Sequence, residues 1–244
     1  MQQNRSVQVA GGLMIGAAVL ANVGFTMLGS RFNYPDVLTE PARDVLTTFH
    51  GDASAIGALF TTLAVASALL IPIAWLTRHL IAPGRTRQVM VTSGLAAGVV
   101  QVIGLMRWPL LVPRFADIAT DPTSSAAEQT DAINLFETFH DLLGGLVGET
   151  FGYALTAVWT VAMVIGLRHR FRRWFAVIGM GSAALVATGL VEKAGVEAAG
   201  LTNFVGYIAW SLWIIAVGVA LIRRPGHAAA ATPAPTQLAF AVAT

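Results

Sequence analysis

Six stretches of this chain are apolar for about the length of a membrane crossing, and short polar segments separate them. The runs lie at about 8–29, 53–77, 89–112, 136–167, 174–193 and 203–222. A bilayer's hydrocarbon core of about 30 Å needs roughly twenty apolar residues in a helix. None of the runs shows the strict alternation of a half-buried strand. The pattern therefore predicts an all-α polytopic membrane protein, a bundle of six helices. The first run follows Arg5, as a signal peptide would. Gln8 to Gly29 is longer than a typical signal core and no A-x-A site closes it, so it reads as a retained helix.

The polar segments alternate in character. Residues 78–88 hold Arg78, Arg85 and Arg87; residues 168–173 hold Arg168, Arg170, Arg172 and Arg173; Arg223 and Arg224 follow the last run. With six spans all of these share one side with Arg5. The positive-inside rule makes that side cytoplasmic, with both termini inside and the protein in a bacterial inner membrane. The other two long segments are acidic. Residues 30–52 carry Asp36, Glu40, Asp44 and Asp52, and residues 113–135 carry Asp117, Asp121, Glu128 and Asp131. Punctuated by Pro35, Pro41 and Pro122, they are long enough to form short helices or caps over the bundle. The tail, 225–244, is rich in Ala, Pro and Thr and is expected to be disordered and cytoplasmic, leaving 1–224 as the transmembrane domain.

Two of the predicted hairpins match. Thr48-Phe49-His50 and Thr138-Phe139-His140 open two spans, and Arg78-His79 and Arg168-His169 close them, 28 residues after each histidine. At about 1.5 Å per residue that is about 42 Å, close to a bilayer with its headgroup regions. Arg31-Phe32 and Arg114-Phe115 precede the two acidic loops. The spacing predicts pseudo-repeats at about 8–80 and 89–170, parallel in topology, with a third hairpin at 174–222.

Composition agrees with this class. The chain is 55% hydrophobic and 11% charged over 244 residues, against about 25% charge in a typical soluble domain. Cysteine is absent, which removes disulfides, Cys-ligated clusters, haem thioether links and thiol nucleophiles. A net charge of +2, with its arginines in short loops, gives no footprint for nucleic acid. No phosphate-binding loop, G-x-S-x-G, H-E-x-x-H or prenyl-binding aspartate motif occurs.

The remaining chemistry is a layer of ionisable residues near the acidic-loop end. Counted inward from the basic loops, Arg107, Glu149, Glu192 and Lys193 fall at one depth, with His50, Glu137, His140 and Asp141 further out. Ionisable groups inside a bilayer cost several kcal/mol unless paired or wet, so this layer is the candidate site. Glu149 lies deep in an apolar run, with Arg107 its partner by depth; the pair either orders the bundle or handles a proton or ligand. Glu192 and Lys193 fit interfacial snorkelling. His50 and His140 admit several roles: hydrogen bonds to the loops, metal ligation with Glu137 at i, i+3 from His140, axial ligation of a haem b, or pH sensing. The metal motif is broken in the first repeat, where Thr47 stands in the place of Glu137. Gly144, Gly148 and Gly152 read as a close-packing face, and Asn22, Gln101 and Asn203 as interhelical hydrogen-bonding groups.

The six-helix plan, the stretch Gly104-Leu-Met-Arg-Trp-Pro109, and Phe139-His140 through Gly148-Glu149 to Trp159 resemble the DUF4386 family of uncharacterised bacterial membrane proteins, over about residues 8–222. The resemblance implies no activity and no site residues. The expected function is a polar pocket facing outward, lined by His50, Arg107, Glu137, His140 and Glu149, with Asp141 and Glu192 nearby, binding a small ligand, metal or proton. The alternatives are a haem b or metal redox protein using His50 and His140, and a small proton-coupled transporter using Glu149 and Arg107. An enzyme acting on a lipid-soluble substrate stays open.

Overall fold

A computed structural model describes residues 2–196 and 198–225. The tail expected to be disordered lies, from residue 226 on, outside the described residues, as does the Lys193 side chain. Among the described residues the chain is helical throughout, and six helices are long and apolar enough to cross a membrane: Asn4–Phe32, Ala53–Leu80, Arg85–Thr120, Ala126–Leu167, Arg173–Glu192 and Ala198–Arg223.

The third and fourth of these run well past the predicted apolar segments, because the acidic loops are themselves helical. Helix α1 (Gln2–Phe32) ends where Asn33 takes a left-handed φ of 50°, a conformation asparagine tolerates better than most residues. A 3-10 turn (Asp36–Thr39) and helix α2 (Ala42–Gly51) follow. The second span starts as α3 (Ala53–Ala68) and continues as α4 (Leu70–Thr77). The break falls at Leu69 because Pro72 has no N–H to offer the carbonyl four residues back. In α5 (Arg85–Leu110), Pro109 acts in the same way near the end; the chain turns at Leu111 and resumes as α6 (Val112–Thr120). Helix α7 (Ala126–Phe139) opens on a capping box: the Ser125 hydroxyl accepts from the Glu128 N–H, while the Glu128 carboxylate accepts from the Ser125 N–H.

From His140 to Phe151 the fourth span is a π-helix, and it becomes α8 (Gly152–Leu167) without interruption. Most π-helix is a single widened turn within an α-helix, so twelve residues is a long run. The last hairpin is α9 (Arg173–Ala187), a 3-10 segment (Thr188–Ala194), and α10 (Ala198–Arg223).

The spans close into a ring. Helix α1 packs on α10 and α3, α3 on α5, α5 on α8, α8 on α9, and α9 on α10. Small residues permit the closest approaches. Gly11 of α1 meets Gly218 of α10, and Gly104 of α5 meets Gly148 of the π segment, backbone against backbone. Met14, Ile73, Met90, Trp159, Met163 and Trp213 fill the half of the ring nearer the termini.

Helices α2, α6 and α7 pack on one another over the far end, the cap end. Val45, Leu46 and Phe49 of α2, Phe115 and Ala119 of α6, and Phe136 of α7 turn inward against Phe60 and Trp108. Arg43 ties the cap together, donating to the Ala119 carbonyl at 3.1 Å and to Gln129 Oε1 at 3.2 Å. Arg31 pairs with Asp52 at 2.9 Å, fastening the end of α1 to the α2–α3 junction.

Candidate functional site

Arg107 is the only charged side chain buried among the described residues, at 5% exposure. It sits in the last turn of α5, under the cap. Its Nη1 donates to the Gly104 carbonyl of its own helix, and its Nη2 lies 3.5 Å from His140 Nδ1. The guanidinium carbon is 5.3 Å from the centre of the Trp108 ring. Its Nε is buried with no hydrogen-bond acceptor. A guanidinium can only donate, so the contact with His140 needs a bare Nδ1.

Gly144 makes this position possible. A Cβ there would stand 2.5 Å from Arg107 Nη2 and 2.6 Å from Cζ, so the arginine lies flat against a helix surface that has no side chain. Gly148 in turn faces Gly104, and Gly152 faces the Gln101 side chain. The three glycines thus make the close-packing face expected of them, Gly144 and Gly148 on the π-helix that carries both His140 and Glu149, and Gly152 at the start of α8.

Glu149 is the common electrostatic neighbour of Arg107, Tyr34, Tyr153 and Tyr207. These three tyrosines are all the tyrosines in the chain. Tyr34 comes from the loop between α1 and α2; burial of its phenol, with the negative field of Glu149, pushes its pKa up to about 12. Tyr153 lies one helical turn beyond Glu149 and packs on Tyr207 of α10 with ring centres 5.7 Å apart.

A chain of hydrogen bonds continues from Tyr207 across the bundle. Tyr207 shares a hydrogen bond with Thr156. The Thr156 hydroxyl also accepts from Gln101 Nε2 at 2.8 Å, and Gln101 Oε1 accepts from the Ser67 hydroxyl at 3.1 Å. One turn on, the Thr160 hydroxyl accepts from Trp210 Nε1 at 2.7 Å. Asn203 reaches from α10 to the Val186 carbonyl of α9 at 2.6 Å. Gln101 and Asn203 therefore bridge helices as expected. Asn22 instead donates to the Ala18 carbonyl of its own helix.

The residues expected to form one pocket fall into two groups. Arg107, His140 and Glu149 are inside the bundle, with Glu192 at the neighbouring hairpin, where its carboxylate lies against Gly200. His50, Glu137 and Asp141 are exposed on the cap. His50 Nδ1 is 3.2 Å from Asp117 Oδ1 on α6, while His140 packs against Phe136 and Trp108. Trp108 contacts both Phe49 and His140, so its indole stands between the two Thr-Phe-His segments. Among the described residues no three His, Asp or Glu side chains converge as a metal site would require.

Sequence reasoning missed the three tyrosines, Thr156 and Ser67. One signal was available: Tyr153 and Thr156 follow Glu149 at four and seven residues, a shared helical face.

The model of a family described as a domain of unknown function, DUF4386, matches residues 9–218. No curated protein and no solved structure shows significant similarity to the chain.

Proposed function

The chain belongs to the DUF4386 family, and from that premise we propose that it is a multi-pass membrane protein whose cap-end half holds a proton- and ligand-binding site built on Arg107, His140 and Glu149. One observation carries the reading. A permanently charged guanidinium is buried beneath the cap with its Nε unsatisfied, its Nη2 3.5 Å from His140 Nδ1, and within the field of a carboxylate. An unmet buried donor costs about 1–3 kcal/mol, and more for a charged group. A chain that only needed to pack would use an apolar residue there. Arg107 acts as the fixed positive charge, Glu149 as the group that gains and loses a proton, and His140 as the relay that orients the arginine. The phenols of Tyr34, Tyr153 and Tyr207 supply hydroxyls around Glu149 for a small polar ligand.

The π-helix favours a second reading, a small proton-coupled carrier using the same Glu149 and Arg107. Irregular backbone within a span is characteristic of transporter sites, where it lines a cavity. The two readings share the site and differ in whether the ligand crosses. The haem and metal readings receive less support, since His50 is engaged on the cap surface with Asp117.

The same reading takes the hairpins 8–80 and 89–170 as duplicated copies, with both termini on the cytoplasmic side of a bacterial inner membrane. It is supported by the two Thr-Phe-His segments, each of which falls at the end of a cap helix, α2 or α7.

Infrared difference spectra of the reconstituted protein between high and low pH test the proposal. A protonated-carboxyl band that vanishes in Glu149→Gln and shifts in Arg107→Lys is expected. A spectrum unchanged by Glu149→Gln would overturn it.

A further inference from the structure

Helices α5 and α9 both pack on α8, and the three enclose an apolar groove of about 520 Å³. Its walls include Val89 of α5, Ala157, Val161 and Ile165 of α8, and Ala184 and Ala187 of α9. Arg85 and Thr86 stand at its mouth, at the termini end of the bundle. From Ile165 to Ala157 the groove follows α8 for about 12 Å at about 1.5 Å per residue, and Arg85 stands at the end beyond Ile165. That depth is close to one leaflet, half of a hydrocarbon core about 30 Å thick.

The charges at the mouth say what such a chain should be attached to. Arg85 is the first residue of α5 and Arg87 the third; Arg172 and Arg173 open α9. Neither helix has an acidic residue in its first turn. Arginine at a helix N-terminus adds to the positive end of the macrodipole, an arrangement that stabilises nothing within the chain and favours a bound anion. Among the described residues no acidic side chain pairs with these arginines. Arg85 is exposed and makes no hydrogen bond or ion pair among the described residues. All 13 acidic residues of the protein lie outside the termini-end loops, which hold ten arginines.

We propose that this groove is a binding site for an anionic phospholipid from the leaflet at the termini end. One acyl chain lies along α8 between α5 and α9, and the phosphate is held by Arg85 and the N-terminal N–H groups of α5. Apolar walls alone would accept any lipid. The basic mouth makes the site select a negative headgroup, since each arginine near a membrane surface contributes about 1 kcal/mol toward anionic lipid.

The test is lipid retention by the full-length protein, purified from membranes and then exchanged into nanodiscs of mixed phosphatidylglycerol and phosphatidylcholine. Bound lipid is counted by native mass spectrometry. Wild type is expected to keep one phosphatidylglycerol in preference to phosphatidylcholine. Arg85→Gln should lower that preference about fivefold. Ala184→Phe, which fills the groove and leaves the arginines in place, should reduce retention of both lipids. Arg78→Gln is the control at the same end, since Arg78 lies over Trp75 at 3.8 Å, away from the groove. Equal retention of the two lipids by wild type overturns the proposal. So does an equal loss in Arg78→Gln and Arg85→Gln, which would assign the preference to the basic end as a whole, and so does full retention in Ala184→Phe.

Discussion

The contact between Gly104 and Gly148 makes a quantitative claim about how α5 seats on the π-helix. A methyl group added at Gly104 would lie 2.6 Å from Gly148 Cα and 3.0 Å from the Leu143 carbonyl oxygen. Ordinary van der Waals contact begins at 3.4 Å, and both obstacles are backbone, so no side chain can swing aside. Gly104→Ala must therefore push the two helices apart by about 1 Å or bend one of them. Overpacking of this kind costs about 1–3 kcal/mol. The better helix propensity of alanine returns about 1 kcal/mol. The expected net loss is up to about 2 kcal/mol, or a Tm lower by up to about 4–8 °C for a chain of this length. Gly12 on α1 is the matched comparison, because a Cβ there meets nothing within 4 Å. Gly12→Ala keeps the propensity gain without the clash and should raise the Tm slightly. Thermal unfolding of the three proteins in one detergent, followed by circular dichroism, decides the matter. If Gly104→Ala melts with Gly12→Ala, at or above wild type, the close seating of α5 on the π-helix is refuted.

Arg107→Ala should destabilise the protein by about 1–3 kcal/mol, because it removes a buried side chain and takes from the half-buried Glu149 the positive charge it acts on; adding Glu149→Gln should recover part of that loss in chemical unfolding. Thr156→Val removes the hydroxyl shared by Gln101 and Tyr207, and equilibrium unfolding should register a loss of about 0.6–1.7 kcal/mol, the range found for hydrogen bonds between membrane helices. In the α6–α7 turn, the hydroxyl and N–H of Thr123 hold the Asp121 carboxyl below the usual carboxylate range. A depressed pKa in the folded state means the stabilisation is present above the unfolded value of about 3.9 and is lost as pH falls through the folded one. Amide protection factors across residues 121–129, with the intrinsic pH dependence of exchange divided out, should therefore fall toward low pH in wild type, and Asp121→Asn should weaken that dependence, leaving the part due to Glu128, whose carboxylate is held down by Ser125. Ser125→Ala, which breaks the capping box of α7, should cost about 1 kcal/mol in thermal unfolding.

The six spans are legible in the sequence because lipid leaves few options: a backbone inside hydrocarbon must satisfy itself, and helices do so. The cap was readable only in outline. Pro35, Pro41 and Pro122 marked breaks, but that α2, α6 and α7 pack together depends on Phe49, Phe115 and Phe136 meeting around Trp108, contacts between residues far apart in the chain. Depth counting placed Arg107 and Glu149 at one level without fixing how each helix is turned, and the turn decides that His140 reaches Arg107 while His50 faces Asp117. The π-helix was not readable at all. Hydrogen bonds to the fifth residue leave no periodic mark on side-chain type, and the glycines that accompany it fit an α-helical packing face equally well. Tyr34 was hidden for another reason: it reaches the site from a loop, where no periodicity predicts direction.

The gathering of every tyrosine around one carboxylate has a practical corollary. A phenol reports its surroundings through its ultraviolet absorbance, its vibrational modes and, when fluorinated, its magnetic resonance. In most proteins such signals blur over many positions. Here Tyr34, Tyr153 and Tyr207 give three, all within the field of Glu149. Uniform labelling of tyrosine therefore makes a site-specific probe without any engineering. A ligand or proton arriving at this end of the bundle should move all three lines together, and an event at the termini end should leave them where they are.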